Sequence, residues 1–172
     1  MRLFFALWPD DATKAQLTRV AAQLALAFPS RLVPAAKYHL TLAFVGETAS
    51  SRLPALLKIG AKQQAPRCTI AFDATEFWAN SQVVVAAAQK IPVELLKVWE
   101  QLHRDLALRA QHKLRAHVTL ARKVAQAPVL QAMSPIEWRS SSFGLYRSDT
   151  SGAESAYTVV DSWPLLDERQ NP

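Results

Sequence analysis

One order of elements occurs twice in the chain, and this repetition limits the possible folds more than any other feature. A short apolar stretch at residues 2–8, a proline, an amphipathic segment and a loop lead to the sequence HLTL at 39–42. A second apolar stretch at 83–86 leads through the same series to HVTL at 117–120. Apolar alternation predicts a strand, and helical spacing after a proline predicts a helix. The chain therefore contains an internal duplication, found from element order.

Two similar halves without a low-complexity linker predict two lobes of one domain. We expect this domain to span 1–172, with lobe one centred on 39–42 and lobe two on 117–120. The polar segment 167–172 is expected to be a frayed tail.

The remaining segments predict a mixture of helices and strands. Residues 53–60 have helical spacing, and 68–77 alternates as a strand that forms a hairpin with 83–86. After the second motif we expect a weak helix bounded by Pro128 and Pro135, a long strand at 136–146, a turn at 149–152 and a returning strand at 157–163.

Each repeated motif places a histidine and a threonine on one face of a strand. Side chains at i and i+2 of a strand point the same way, so His39 lies beside Thr41, and His117 beside Thr119. The intervening apolar residues would pack on the opposite face and fix the register. A single motif of this kind is most simply a solvated strand face, whereas two copies indicate a site in which both histidines take part.

Two imidazoles near neutral pH can act as a general acid and a general base in one reaction. This arrangement suits in-line displacement at phosphorus, where each threonine hydroxyl could donate a hydrogen bond to a phosphate oxygen and an arginine could bind the remaining charge. Two histidines lack the third protein ligand of a catalytic zinc site, so we expect no metal and no other cofactor.

Arg122 follows the second motif, but its strand position is unfavourable. By strict alternation its side chain lies on the face opposite His117, so it reaches the cleft only if a bulge or the strand end redirects it.

Aromatic residues are candidates for stacking on a nucleotide base. Phe5, Phe44 and Tyr146 lie in predicted strands and are the candidates; the alternative for each is packing in the core.

Charge and cysteine content indicate the kind of partner and the cellular compartment. A formal net charge of +6 and a pI of about 9.8 favour an anionic partner. Cys68 is the single cysteine, which excludes an intrachain disulfide and suits a reducing, cytoplasmic compartment. No segment predicts a membrane span, and nothing indicates more than a monomer.

The paired motifs, the duplicated order and the length together resemble the 2H phosphoesterase superfamily, and within it the bacterial RNA 2′,3′-cyclic phosphodiesterases, also described as 2′-5′ RNA ligases. Supporting similarity lies in the opening residues 2–6 and in 157–163. The resemblance implies an α+β, bilobal, pseudo-twofold fold of duplicated β-α-β units, with antiparallel sheets lining a central cleft. One departure is Arg115-Ala116 before the second histidine, where relatives often have a proline.

The same resemblance implies a function and roles for the residues. It implies metal-independent hydrolysis of RNA or nucleoside 2′,3′-cyclic phosphates to 2′-phosphates. His117 would be the base and His39 the acid, and Thr41, Thr119 and Arg122 would bind the phosphate. Two alternatives stay open: a 2′-5′ RNA ligase that joins tRNA halves in the same site, and an RNA- or nucleotide-binding protein without turnover.

Overall fold

A computed structural model describes residues 1–108, 113–130, 132–149 and 156–167 of the chain. The described residues form three α-helices and ten strands. The helices are α1 (Asp11–Ala27), α2 (Leu53–Lys62) and α3 (Val93–Asp105). The strands are β1 (Arg2–Leu7), β2 (Arg31–Leu32), β3 (Leu40–Glu47), β4 (Thr69–Phe72), β5 (Ala74–Trp78), β6 (Val83–Ala87), β7 (His117–Arg122), β8 (Ile136–Arg139), β9 (Ser142–Asp149) and β10 (Ala156–Pro164).

The strands form two four-stranded sheets and one two-stranded sheet. Their orders are β10-β9-β1-β3, β2-β7-β6-β5 and β4-β8, and every pairing within them is antiparallel. In the two large sheets β3 corresponds to β7, β1 to β6 and β9 to β5. This confirms the predicted α+β fold with duplicated elements and antiparallel sheets.

Local sequence explains where the first helix begins and what it buries. The Asp10 carboxylate accepts a hydrogen bond from the Thr13 backbone N–H at 2.7 Å, which caps the helix start. Leu17, Ala21 and Leu24 recur at helical spacing and are buried.

Each long helix packs against the sheet of the other half. The α1 helix follows β1 in the chain, yet it contacts β7 and β8, while α3 follows β6 and contacts β3. Buried residues from both halves accordingly form one hydrophobic cluster, which includes Leu3, Leu40, Val84 and Leu120. The order of each β-α-β unit is as predicted, but neither unit covers its own sheet.

Two predicted strands are divided in the structure. The stretch 68–77 is broken at Asp73, and 136–146 is broken at Ser140 and Ser141, because in both places the chain passes from one sheet to another. The first parts, β4 and β8, pair with each other and form the separate two-stranded sheet. Buried polar contacts hold this crossing, since the Ser140 backbone N–H donates to the Cys68 carbonyl at 2.9 Å.

The helix predicted between Pro128 and Pro135 is wrong. The described residues at 124–130 and 132–135 are not helical, because the two prolines leave a segment too short to offset the cost of nucleating a helix. The turn predicted at 149–152 lies outside the described residues apart from Asp149.

Of the tail predicted at 167–172, only Asp167 is described. Its carboxylate lies 3.5 Å from Arg67 Nε and 3.7 Å from Arg139, so this residue forms ion pairs with two arginines. Among the described helices, none combines the length and apolar character needed to span a membrane.

Candidate active site

A cleft of about 420 Å³ lies between the two lobes and contains residues of both motifs. His39 enters from lobe one, while Thr119 and Arg122 enter from lobe two. His117 and Thr41 are half-buried on the two motif strands and do not line the cavity surface itself.

Both motif histidines are held in the same way. His39 Nδ1 lies 2.7 Å from the Lys37 carbonyl oxygen, and His117 Nδ1 lies 2.6 Å from the Arg115 carbonyl oxygen. A carbonyl oxygen can only accept, so Nδ1 carries the proton in each ring. In the neutral form of either ring, Nε2 is therefore the atom that can accept a proton.

The surroundings lower the pKa of both imidazoles. Burial is the main cause for His39, and its pKa is lowered further by Arg122 and by the charge of His117, against the raising effect of the Lys37 carbonyl. Burial also dominates for His117, with Arg115 and Arg122 lowering its pKa and Glu76 and the Arg115 carbonyl raising it. The two histidines and Arg122 are thus within electrostatic reach of one another.

A bulge explains why Arg122 reaches the cleft despite its strand position. In the β6–β7 pair, Val85 is opposite Thr119 and Val84 is opposite Ala121, so Leu120 is an extra residue. Both Leu120 and Ala121 are buried, and Arg122 returns to the face of Thr119. The bulge therefore turns the Arg122 side chain toward the cleft, which strict alternation along the strand would not do.

Lobe one contains the same bulge, and it places an aromatic residue where lobe two has the arginine. In the β1–β3 pair, Phe5 is opposite Ala43 and Ala6 is opposite Thr41, so Leu42 is the extra residue. Phe44 is the counterpart of Arg122; its side chain is 56% exposed and lines the cleft. Phe4, Phe44 and Tyr157 line the cleft from the sheet of lobe one, and Arg31 and Arg122 line it from the sheet of lobe two.

The three predicted stacking residues have different positions. Phe44 is the one that lines the cleft. Phe5 is wrong as a stacking residue, because it points to the core and is fully buried against Trp163. Tyr146 is half-buried, stacks on Trp8 with ring centroids 4.4 Å apart, and does not line the cavity.

Two tryptophans that the sequence did not single out support the histidines. Trp8 stacks on the His39 ring at 5.1 Å and 14°. Trp78 lies against the His117 ring at 4.4 Å. No motif marks these residues, because the contacts depend on the strand pairing and on side-chain packing. Phe4 and Tyr157, which also line the cleft and contact His39, were missed for the same reason.

Trp78 belongs to a charged cluster that has no counterpart beside His39 among the described residues. The Arg115 guanidinium lies 4.0 Å from the Trp78 ring centroid and pairs with the Glu76 carboxylate. The same carboxylate accepts a hydrogen bond from Trp78 Nε1 at 2.7 Å. These contacts fix the Trp78 ring against His117 and bring one negative charge near it.

Within the described part of the chain, no three His, Cys, Asp or Glu side chains are grouped as metal ligands. Cys68 is buried, its pKa is raised by burial, and its Sγ lies 3.2 Å from Ser140 Oγ. This agrees with a packing role for the cysteine.

Comparisons with known proteins show which family and which proteins the chain is similar to. The model described as LigT like Phosphoesterase matches residues 7–86. Two curated relatives are both named RNA 2′,3′-cyclic phosphodiesterase. The relative from Escherichia coli is 26% identical over 170 residues, covering 95% of this chain and 96% of its own. The relative from Thermus thermophilus is 29% identical over 183 residues, covering 98% of this chain and 92% of its own.

A solved structure agrees with these matches. The crystal structure of E. coli LigT complexed with 3′-AMP has a TM-score of 0.83 and 27% identity, and the alignment covers 96% of this chain and 98% of that one. The chain therefore contains a LigT-like phosphoesterase domain of the 2H superfamily, matched at residues 7–86, and it is similar over nearly its whole length to these relatives.

Proposed function

We propose that this phosphoesterase hydrolyses the 2′,3′-cyclic phosphate of RNA ends or nucleosides to the 2′-phosphate, without a metal ion. The observation that carries the proposal is the pair of His-x-Thr strands, each with a histidine whose Nδ1 is fixed by a carbonyl and whose Nε2 is free to exchange a proton. The two curated relatives named RNA 2′,3′-cyclic phosphodiesterase support the choice of substrate.

The proposed reaction is one in-line displacement at phosphorus. The Nε2 of one histidine takes a proton from water as the water oxygen bonds to phosphorus. The bond from phosphorus to O3′ breaks, and the protonated second histidine gives its proton to O3′. The products are a 2′-phosphate and a 3′-hydroxyl, and the next turnover begins once the two rings have exchanged a proton through solvent.

The remaining polar residues of the site would stabilise charge in the transition state. Hydroxyls of Thr41 and Thr119 would donate to the non-bridging oxygens, and Arg122 would bind the same oxygens with its guanidinium. Following the superfamily, His117 is the proposed base and His39 the proposed acid. The environment does not separate these roles, since it lowers the pKa of both rings.

The test is hydrolysis of 2′,3′-cyclic AMP in the presence of EDTA, compared among His39→Asn, His117→Asn and the control His103→Asn. The control ring lies on α3, with Nδ1 2.8 Å from the Trp99 carbonyl oxygen, and so has a similar local contact while belonging to neither motif. Each motif variant should lose about 10²- to 10⁴-fold in kcat. Full activity in either motif variant would refute the two-histidine mechanism, and a requirement for divalent metal would refute metal independence.

The same mixture can be analysed for a joined product by adding an RNA fragment with a free 5′-hydroxyl. A 2′-5′ bond would show that ribose hydroxyl replaces water in this site. Binding of cyclic nucleotide without any turnover by the intact protein would support the non-catalytic alternative.

We also infer a monomeric, cytoplasmic protein. One buried cysteine suits a reducing compartment. Light scattering during size-exclusion chromatography tests the first point, and cell fractionation tests the second.

A further inference from the structure

The face of the sheet that carries the second motif continues from β7 to the edge strand β5. Thr119 is opposite Val85 on β6, and Val85 is opposite Glu76 on β5. Directly opposed residues of antiparallel strands have their side chains on the same face, so Glu76 shares the face of Thr119. Trp78 lies two residues further along β5 and therefore shares this face as well.

The corresponding position of lobe one is a glycine. There Thr41 is opposite Ala6, and Ala6 is opposite Gly144. A Cβ atom added to Gly144 would lie 2.9 Å from the Tyr146 ring, so the aromatic packing of this lobe leaves no space for a side chain. At this aligned position, one lobe has a carboxylate and the other has none.

The loop that leads to His39 is held by its own backbone. Residues Ala35–Lys37 form a 3₁₀ helix, and the N–H groups of Lys37 and Tyr38 donate to loop carbonyls at 2.8 and 3.1 Å. Tyr38 is also fully buried. The Lys37 carbonyl that contacts His39 Nδ1 is therefore part of a regular turn next to a buried anchor.

The loop that leads to His117 is connected to β5 by side chains. Its residues 113–116 form neither helix nor strand. The Arg115 guanidinium pairs with the Glu76 carboxylate and lies over the Trp78 ring, whose Nε1–H donates to that carboxylate. The Arg115 carbonyl oxygen contacts His117 Nδ1, and Trp78 packs on the His117 ring. These interactions form a closed cycle of contacts through the four residues.

We propose that Glu76 is a positioning residue for proton transfer at His117, which it holds through Arg115 and Trp78. The inference rests on the proposed function and adds to it a residue outside both motifs. Glu76 does not line the cleft, so its effect on the reaction passes through the loop and the ring. By keeping the Arg115 carbonyl at Nδ1, it keeps the proton on that nitrogen and leaves Nε2 able to exchange one.

A role of charge alone predicts a different pattern. The charge of Glu76 raises the pKa of His117 and that of Arg115 lowers it, so removing one or the other would move this pKa in opposite directions. Positioning depends on both partners of the ion pair. Removing either side chain should then have the same effect on the reaction and on the proton of the neutral ring.

The test measures kcat and KM for 2′,3′-cyclic AMP in Glu76→Ala, Glu76→Gln, Arg115→Ala and the variant with alanine at both positions, each at the pH of its maximal rate. Glu47→Gln is the matched control, because Glu47 is also a strand glutamate in an ion pair, 3.5 Å from the N-terminal amine. Nitrogen NMR shows which imidazole nitrogen of His117 carries the proton, with His39 as an internal reference. Circular dichroism checks that all variants are folded.

A misplacement of about 1 Å can cost about 10²-fold in rate, so a residue that acts through a loop should cost less. We expect Glu76→Ala and Arg115→Ala each to lower kcat about tenfold and to change KM less than about twofold. The double variant should also lose about tenfold, because both substitutions break the same cycle of contacts. Glu76→Gln keeps an acceptor for Trp78 Nε1 without the charge that holds Arg115, so it should lose about threefold.

The NMR result is expected to distinguish the two histidines. In Glu76→Ala and Arg115→Ala, neutral His117 should become a mixture of forms protonated at Nδ1 and at Nε2. His39 should keep its proton on Nδ1 in every variant, and Glu47→Gln should change neither the rate nor either ring.

The outcomes separate this proposal from the proposed function. If the wild-type protein hydrolyses cyclic AMP while Glu76→Ala and Arg115→Ala keep the maximal kcat and the His117 proton on Nδ1, positioning is refuted and the proposed function stands. A loss in only one of the two variants, or a double variant whose loss is the product of both, would likewise refute it. If the wild-type protein hydrolyses no cyclic phosphate, the proposed function fails, and the protonation of His117 in the same variants still decides whether Glu76 holds the ring.

Discussion

Replacing Arg122 with glutamine tests how the bulge at Leu120 serves the site. The guanidinium is brought to the face of Thr119 by that bulge, and it acts on the charge of both motif histidines. Loss of a preorganised donor to a developing negative charge costs about 2.7–4 kcal/mol in enclosed sites. Arg122 is exposed at an open cleft, so a value of about 2–3 kcal/mol is appropriate, which corresponds to roughly 30- to 150-fold in kcat/KM.

The same substitution should move the histidine titrations in a known direction. The positive charge of Arg122 lowers the pKa of His39 and of His117, so removing it raises both. The pH dependence of kcat/KM for 2′,3′-cyclic AMP should therefore shift to higher pH in Arg122→Gln, together with the imidazole proton signals in NMR titrations. Arg122→Lys keeps the charge and loses the planar fork, so it should lose activity, about fivefold, without the shift.

Arg139→Gln is the matched control, since this arginine also ends a strand and its side chain is 71% exposed, 3.7 Å from Asp167. It should change neither activity nor titration. A decrease of less than threefold in Arg122→Gln, or unchanged pKa values of both histidines, would refute the role assigned to the bulge.

Three further predictions concern pH and packing. Burial keeps the pKa of His39 and of His117 below 6.5 in the folded state, so the unfolded chain binds more protons than the folded chain as the pH falls below about 6.5. The free energy of unfolding should therefore decrease over that pH range, and it should decrease less in the variant that has asparagine at both positions. Urea titrations at several pH values measure this. Glu76→Gln removes a negative charge that raises the pKa of His117, so NMR should show that pKa decreasing, and an unchanged value would contradict the cluster. Gly60→Ala places a methyl carbon 2.2 Å from the nearest Trp163 ring atom, so thermal unfolding should show a loss of about 1–3 kcal/mol, and a neutral result would mean that the ring has space to move.

The sequence predicted the parts of the fold that depend on local pattern and repetition. The strand at 2–7 and the helices beginning near residues 11, 53 and 93 were all expected, as was the order of the two halves. What the pattern could not show is where a long apolar alternation changes sheets. The breaks at Asp73 and at Ser140 depend on partners far away in the chain, and the alternation continues on both sides of each break.

In the candidate site, too, the sequence predicted the local features and not those that depend on strand pairing. The His-x-Thr pairs are local, so the sequence contained them. The position of Arg122 depends on a bulge that exists only in the pairing of β7 with β6, and strict alternation pointed away from it. Phe5 failed as a stacking residue because an aromatic residue in a strand can either pack in the core or contact a ligand. Which of the two it does depends on the face of the sheet toward which its side chain points, and strand pairing determines that face.

The exchange of helices between the halves has a consequence for folding. The sheet of the first half needs α3, which follows β6, and it needs β9 beside β1, so the N-terminal segment pairs with a strand more than 130 residues away. Contacts so distant in sequence slow folding. On the ribosome, β1 can pair with β9 only after most of the chain has been synthesised, and neither half expressed alone would have a complete core. A circularly permuted chain that places β9 just before β1 should fold faster than the natural order.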